Sequence, residues 1–527
     1  MNQVWNIFRK DVRHHWPEIA ASLALLVAFA WFEIRSWSQF GDAATGAAAV
    51  DVLFFFRSRM LPGLVSFLLP VSWIFLIVRG VQGESLVGDR QFWLTRPYDW
   101  KQLLVAKILF VLAFINLPFL GMTVFLLTRA GFPPAHYVVG LLWMQWSWIL
   151  FLFLWTAALA CVTKNISQML LAVLFVVLYV IGTSAISSAI RHSNFSGSVD
   201  SLSGFIVIGT AVAVILIQYS RRKTALSRWL TVGVCALLAV ASVASELAPP
   251  DTSRITREYP LSSGPPPVDL ALAKSERHDG EFSPIYNGEV SVLFPLTVGG
   301  IPNDSFLNLD GMIVTLTKGN GFRWDTGWRG TGLQLFPDQK SAQIGFQIKQ
   351  NIFDQLNSGP VTAHFLLAFT MYQNKNQRQF IVPSGEFRLP ELGRCSSENQ
   401  YRTGIQCLTP LRRPAFLLIT SEIAASPCPR GDTGTPSPLG IFARASVQGG
   451  PEPAEMGISP LHEVPISLSS WEWSPGRVVT PGICPGTPLT LSNPEVEGRH
   501  RIELELDNLS LNDFRERLPV TRMLSSR

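Results

Sequence analysis

The stretch richest in contact-forming side chains runs from Arg79 to Lys107 and reads RGVQGESLVGDRQFWLTRPYDWKQLLVAK. It sets Glu84, Asp89, Arg90 and Arg96 around Phe92 and Trp93, with Pro97 closing the turn. Aromatic rings flanked by charges suit a protein–protein contact, where buried rings and arginines carry most of the binding energy. The same composition also suits a segment resting on a membrane surface, with Phe92, Trp93 and Trp100 at the interface. A second set is the four cysteines Cys395, Cys407, Cys428 and Cys484. They form no CxxC pair, which argues against a zinc site and for disulfides in an oxidising compartment. Sequential pairing, Cys395–Cys407 and Cys428–Cys484, closes the shortest loops and is the expected one of the three connectivities that four cysteines allow.

Catalytic signatures are missing. No GxxxxGK[ST] occurs, so the chain has no P-loop of its own. His462 and Glu463 open HEVPI, which lacks the second histidine of the zinc-protease motif, and no GxSxG elbow is present. His364 alternates within a strand pattern and reads as packed or solvated. The chain is therefore read as a non-enzyme with no cofactor and no metal. The net charge of +5 is modest, and no basic run interleaves with aromatics, which argues against nucleic acid as a partner.

The elements that must hold these residues differ sharply between the two halves. Between Gln102 and Ser220 the only charged residues are Lys107, Arg129, Lys164, Arg191 and Asp200. A water-soluble domain needs a far more polar surface. Seven apolar runs approach or exceed the roughly 20 residues that cross a bilayer: Glu18–Phe32, Leu61–Val78, Leu103–Leu127, Tyr137–Val162, Gln168–Ile186, Ser203–Tyr219 and Leu226–Val243. Before them, Trp5, Ile7, Phe8 and Val12 mix with Arg9, Lys10 and Arg13, the pattern of a helix lying on membrane lipid. With the N-terminus inside, the inside loops hold twelve Lys and Arg against five in the outside ones, which favours that orientation. An odd number of spans then leaves the remainder of the chain outside, in agreement with its cysteines. The spans show no evident charge pairs, which suits an amphipathic or lipid-like cargo, and Lys107 is expected to snorkel to the inside interface.

After Ala248 the chain is rich in Pro and Ser and reads as a linker. Beyond it the pattern turns to period two: GEVSVLFPL from Gly288, MIVTLT from Met312, AQIGFQI from Ala342, VTAHFLLAFTMY from Val361 and RIELEL from Arg501. Short strands separated by GGIPND, KGNG, NSGP and PSGE turns predict an all-β, sandwich-like soluble region. The expected organisation is an interfacial helix over 1–16, a transmembrane helical bundle of about seven helices over 17–244 and a linker over 245–267. Two extracytoplasmic β modules follow, over 268–400 and 401–527.

The loop between the second and third spans resembles that of permease subunits of type-2 ABC transporters. Glu84 stands at the acidic position of that pattern, Leu86 to Leu94 at its short helix, Thr95-Arg96-Pro97 at its turn and Lys107 at the lysine of the third span. The wording FWLTRP resembles a bacterial subgroup with an added extracytoplasmic region. The resemblance covers roughly Met1–Tyr219, and the seventh span and the β region depart from the family core. It implies a homodimer, or a pseudo-dimer with a second permease, in the inner membrane, exporting its substrate. Each half would dock a separate ABC ATPase subunit through Glu84, Arg90, Phe92, Trp93, Arg96 and Pro97. The competing reading is a non-transport envelope sensor or assembly protein that displays β-sandwich binding domains.

Overall fold

A computed structural model describes residues 2–42, 60–83, 99–190, 197–247, 252–261, 268–272, 282, 288–389, 392–397, 404–411, 416–422, 442–448, 457–467 and 483–516. The N-terminal half is helical, and the C-terminal half is rich in β-strands.

Helix α1 (Asn2–His14) is strongly amphipathic. Ile7 is buried and Val4, Phe8 and Val12 pack against the core, while Arg9, Lys10 and Arg13 face outward. Pro17, near the N-terminus of α2 (Trp16–Asp42), is tolerated because first-turn N–H groups have no intrahelical partner. Seven helical segments among the described residues are long and apolar enough to cross a membrane: Trp16–Trp37, Leu61–Gln82, Trp100–Arg129, Pro134–Val162, Ile166–Thr183, Gly204–Arg221 and Thr224–Ala241. They coincide with the seven apolar runs of the sequence and are called here the first to seventh candidate spans. The third and fourth are the longest, and each contains one π-helical turn, at Leu112–Asn116 and Ile149–Phe153. The second and sixth pack against the fourth, the first against the second, and α1 against the third. The fifth leans mainly on the seventh, where the Tyr179 hydroxyl donates to the Cys235 carbonyl at 2.8 Å.

Successive antiparallel helices gather alternate junctions at opposite ends of this bundle. One end holds α1 and the junctions between the second and third, fourth and fifth, and sixth and seventh spans. There Gln82 Nε2 donates to Thr163 Oγ1 at 3.0 Å. The Arg228 guanidinium donates through Nε and Nη2 to the Val162 carbonyl at 3.2 and 3.0 Å, answering an end-of-helix carbonyl that has no intrahelical partner.

The β half is built from antiparallel ladders in the orders β1-β2-β6, β13-β10-β9-β8 and β12-β11-β14-β7-β3-β4, with β5 also pairing β3. These strands are β1 (Asp269–Leu272), β2 (Glu289–Gly299), β3 (Ser305–Lys318), β4 (Arg323–Asp325), β5 (Arg329–Leu335), β6 (Ser341–Lys349), β7 (Val361–Ile381), β8 (Glu386–Leu389), β9 (Gly393–Ser396), β10 (Gly404–Pro410), β11 (Phe416–Glu422), β12 (Phe442–Gln448), β13 (Leu461–Ser467) and β14 (Pro488–Leu509). All five period-two segments of the sequence fall on strands. The alternation is plain in β2, where Val290, Val292, Phe294, Leu296 and Val298 are buried. They face Val314, Phe365 and Leu367 of the large sheet across one core. A second core joins Leu389, Cys395, Cys407 and Ile466 to Leu489 and Leu491. The long strands β7 and β14 pair along almost their whole length and so run through both cores.

Part of the Pro- and Ser-rich linker is folded. Thr252–Glu258 forms a short helix, and its Ile255, followed by Tyr259, packs on Ile313, Trp328, Leu366 and Ala368. Glu258 pairs with Arg499 at 2.7 Å, and the Arg499 guanidinium lies over the Tyr259 ring. Burial, with Asp310 accepting the phenol hydrogen bond, pushes the Tyr259 pKa up. A β-bulge at Leu309/Gly311 turns the strand there, and a Cβ on Gly311 would stand 2.3 Å from the Trp328 ring, so only glycine fits.

Candidate functional site

Three features on the helical half could do work. The first is a charged cluster at the α1 end. The Lys107 Nζ of the third span donates to Asp11 Oδ2 of α1 at 2.7 Å, and both side chains are less than a tenth exposed. The Lys107 ammonium, expected to reach the inside interface, is held by a buried acceptor on α1, the helix expected at that interface, and this charge pair is one the sequence did not reveal. Glu18 lies 3.6 Å from Arg79 and 4.0 Å from His15 Nδ1. Burial and the neighbouring His14 push the His15 pKa down, against the opposing pull of Glu18 and Asp11. The ring lies beside Gly83, the C-cap of the second span. Opposite this cap, the Asp99 carboxylate accepts from the Lys101 N–H at 3.2 Å and starts the third span. Both flanks of the aromatic loop are thus fixed at the α1 end. Glu84, Arg90, Phe92, Trp93, Arg96 and Pro97 lie outside the described residues.

The second feature is an aromatic layer drawn from three spans. Trp73 of the second span meets Phe119 of the third at 5.1 Å and Trp148 and Phe153 of the fourth at 5.5 and 5.9 Å. The contacts with Trp148 and Phe153 are edge-to-face, a geometry that aligns ring edge with ring face. One turn from Phe119 and from Trp148, Asn116 Nδ2 donates to Gln145 Oε1 at 3.2 Å, and both side chains are buried. A single bond leaves Asn116 Oδ1 and Gln145 Nε2 unpaired. The two π-turns adjoin this layer, and wide turns of this kind often mark places where a helix does more than span.

The third feature is the end opposite α1, where the β half meets the helices. Arg388 of β8 donates to the Gly131 carbonyl at 2.9 Å and lies over the Phe132 ring, in the turn between the third and fourth spans. Gly131 has φ +83°, which glycine adopts without a Cβ penalty. Leu411 packs on Gly140. Leu408, Ile458 and Leu461 belong to the same apolar core as the helices. The short segment Gly457–Leu461 enters between the first and fourth spans, where Ser459 Oγ donates to Glu33 Oε1 at 2.6 Å and Trp148 Nε1 donates to the Gly457 carbonyl at 3.4 Å. The ladder β13-β10-β9-β8 thus sits directly on the bundle.

That ladder carries the Cys395–Cys407 disulfide, which joins directly opposed residues of β9 and β10, as sequential pairing predicts. Cys484 is disulfide-bonded as well, and Cys428 lies outside the described residues. Cys161 and Cys235 are free. No group of three His, Cys, Asp or Glu side chains suited to a metal ion occurs among the described residues. Asp11, Asn116, Gln145 and Gly457–Leu461 escaped the sequence reading, and only the isolation of Lys107 in an apolar run hinted at a hidden counter-ion. No family model matches this sequence, and a search of curated proteins finds no match.

Proposed function

We propose that this chain is the membrane subunit of an ATP-driven, type-2 ABC-like exporter in a bacterial inner membrane. In this reading the seven apolar helices cross the bilayer, with α1 on the cytoplasmic surface. The β half forms sandwich-like modules outside. A separate ATPase docks on the 84–97 loop, and the permease acts as a dimer. The observation that carries the reading is the position of Gly83 and Asp99. These caps hold the loop flanks at the α1 end, beside the Lys107–Asp11 pair and opposite the β half. ATP-driven motion of a partner at that loop has short paths into the bundle, through Arg79 to Glu18 of the first span and through the third span to α1. To drive transport, nucleotide must favour one arrangement of the helices over another. The amide pair and aromatic layer give the interior both polar and apolar surface, which suits an amphipathic cargo.

Phe92 and Trp93 are the proposed anchors of the ATPase. An anchoring ring at an interface centre contributes about 2 kcal/mol or more, so each replacement weakens docking on the order of thirtyfold. The double variant Phe92→Ala, Trp93→Ala is expected to lose the ATPase in co-purification while reaching the membrane in unchanged amount. Undiminished capture of the ATPase by this variant contradicts the assignment.

A further inference from the structure

We propose that Gly457–Leu461 is a reversible closure of the bundle at the end opposite α1, seated between the first and fourth candidate spans. The segment comes from the β half, yet its apolar side chains Ile458 and Leu461 are buried within the helical core. Its polar contacts reach two different helices: Ser459 Oγ to Glu33 on the first and the Gly457 carbonyl to Trp148 on the fourth. A wedge so placed holds that end of the bundle shut for as long as it is seated. Directly beneath it lies the layer of Trp73, Phe119, Trp148 and Phe153, so Trp148 is shared between the wedge and the layer.

The contacts are few and suit a closure that opens without unfolding the helices. Ile458, Pro460 and Leu461, one side-chain hydrogen bond and one long indole bond hold the wedge to the helices, and its last residue, Leu461, opens β13 opposite Pro410 of β10. The layer below is held by rings from three spans. Two of its helices carry π-turns, a feature frequent at functional sites. Elsewhere the β half is anchored independently, by Arg388 on Gly131 and Phe132 and by Leu411 on Gly140. Lifting Gly457–Pro460 about the start of β13 at Leu461 therefore leaves the β half attached. The role of this closure in cargo exit rests on the exporter reading, whereas its reversible seating does not.

The test uses the purified full chain in detergent, with Ser459→Cys as a near-isosteric reporter and a maleimide as the probe. Native Cys161, fully buried in the fourth span, is an internal clock for unfolding of the bundle. The thiol introduced by Ser459→Cys is expected to react at least tenfold faster than Cys161. It is also expected to react at least tenfold slower than the exposed thiol of a Gln377→Cys chain. Adding Ile458→Ser is expected to speed the Ser459→Cys reporter a further tenfold and leave Cys161 unchanged. Equal rates at the reporter and at Cys161 overturn the proposal, because the segment would then be permanent packing. A reporter rate equal to that of the exposed Gln377→Cys thiol also overturns it, because nothing would be seated. Neither an ATPase nor a substrate is present, so either failure leaves the exporter reading standing, and loss of the exporter reading leaves this result standing.

Discussion

Replacing Lys107 with methionine is expected to destabilise the helical half by about 3–5 kcal/mol, the usual consequence of leaving one member of a buried ion pair unpaired. The size follows from burial. Lys107 and Asp11 are both less than a tenth exposed, and the Nζ–Oδ2 distance is 2.7 Å. Without the ammonium, the Asp11 carboxylate keeps its desolvation cost and loses its principal counter-charge. Asp11→Leu is expected to do comparable damage from the other side. The double variant Asp11→Leu, Lys107→Met removes both charges, and it is expected to lie within about 1 kcal/mol of the wild type or above it. Unfolding of the purified chain in mixed detergent micelles measures all four proteins. A loss of about 1 kcal/mol or less in both single variants, the value of an exposed pair, contradicts a buried pair. On the proposed exporter reading, the single variants also loosen α1 from the third span, so they are expected to weaken the response of the bundle to a docked ATPase.

Trp73→Ala is expected to cost about 3 kcal/mol, at the low end of the range for deleting a buried large aromatic side chain. The low end applies because lipid tails are as apolar as the ring, so the loss is one of packing and of ring–ring contact. Trp73 is 1% exposed and touches three other rings, so no neighbour can close the hole without moving a span. Trp73→Phe keeps part of the layer and is expected to recover about half of the loss. Trp143, 60% exposed on the fourth span, is the contrast. Trp143→Ala is expected to change stability by about 0.5 kcal/mol or less. Equal losses at Trp73 and Trp143 contradict the layer.

Much of this architecture is written in local sequence pattern. Seven long apolar runs predict seven long helices because the period and length of such runs leave few alternatives. The strands around Val292, Val314, Ile344, Phe365 and Leu504 are legible because alternate residues are apolar. The Cys395–Cys407 bond is legible because sequential pairing closes a short loop, here with a sequence separation of 12. What escapes the sequence is set by distant partners. Asp11 stands 96 residues from Lys107, amid basic residues that suggest only an interfacial helix. The π-turns LAFIN and ILFLF carry no mark that separates them from their apolar neighbours. Thr252–Glu258 sits in a Pro- and Ser-rich stretch and is held as a helix by what Ile255 and Tyr259 touch. Gly457–Leu461 reads GISPL, an ordinary turn sequence, and only the folded chain places it between Glu33 and Trp148. The aromatic loop is the reverse case, because its reading rests on the residue pattern, with only its two flanks fixed by the fold.

The exporter reading depends most on the helical half crossing a membrane with α1 and the β half on opposite faces. Arg13 and Gln377 are both exposed, the first on α1 and the second on β7, which makes them suitable sites for an introduced reporter cysteine, read against the unsubstituted chain with its native Cys161 and Cys235. The measurement is labelling of Arg13→Cys and Gln377→Cys full chains in bacterial spheroplasts with a membrane-impermeant maleimide, before and after lysis. The expected result is that Gln377→Cys reacts in intact spheroplasts and that Arg13→Cys reacts only after lysis. Reaction of both in intact spheroplasts, or of Arg13→Cys alone, contradicts that topology.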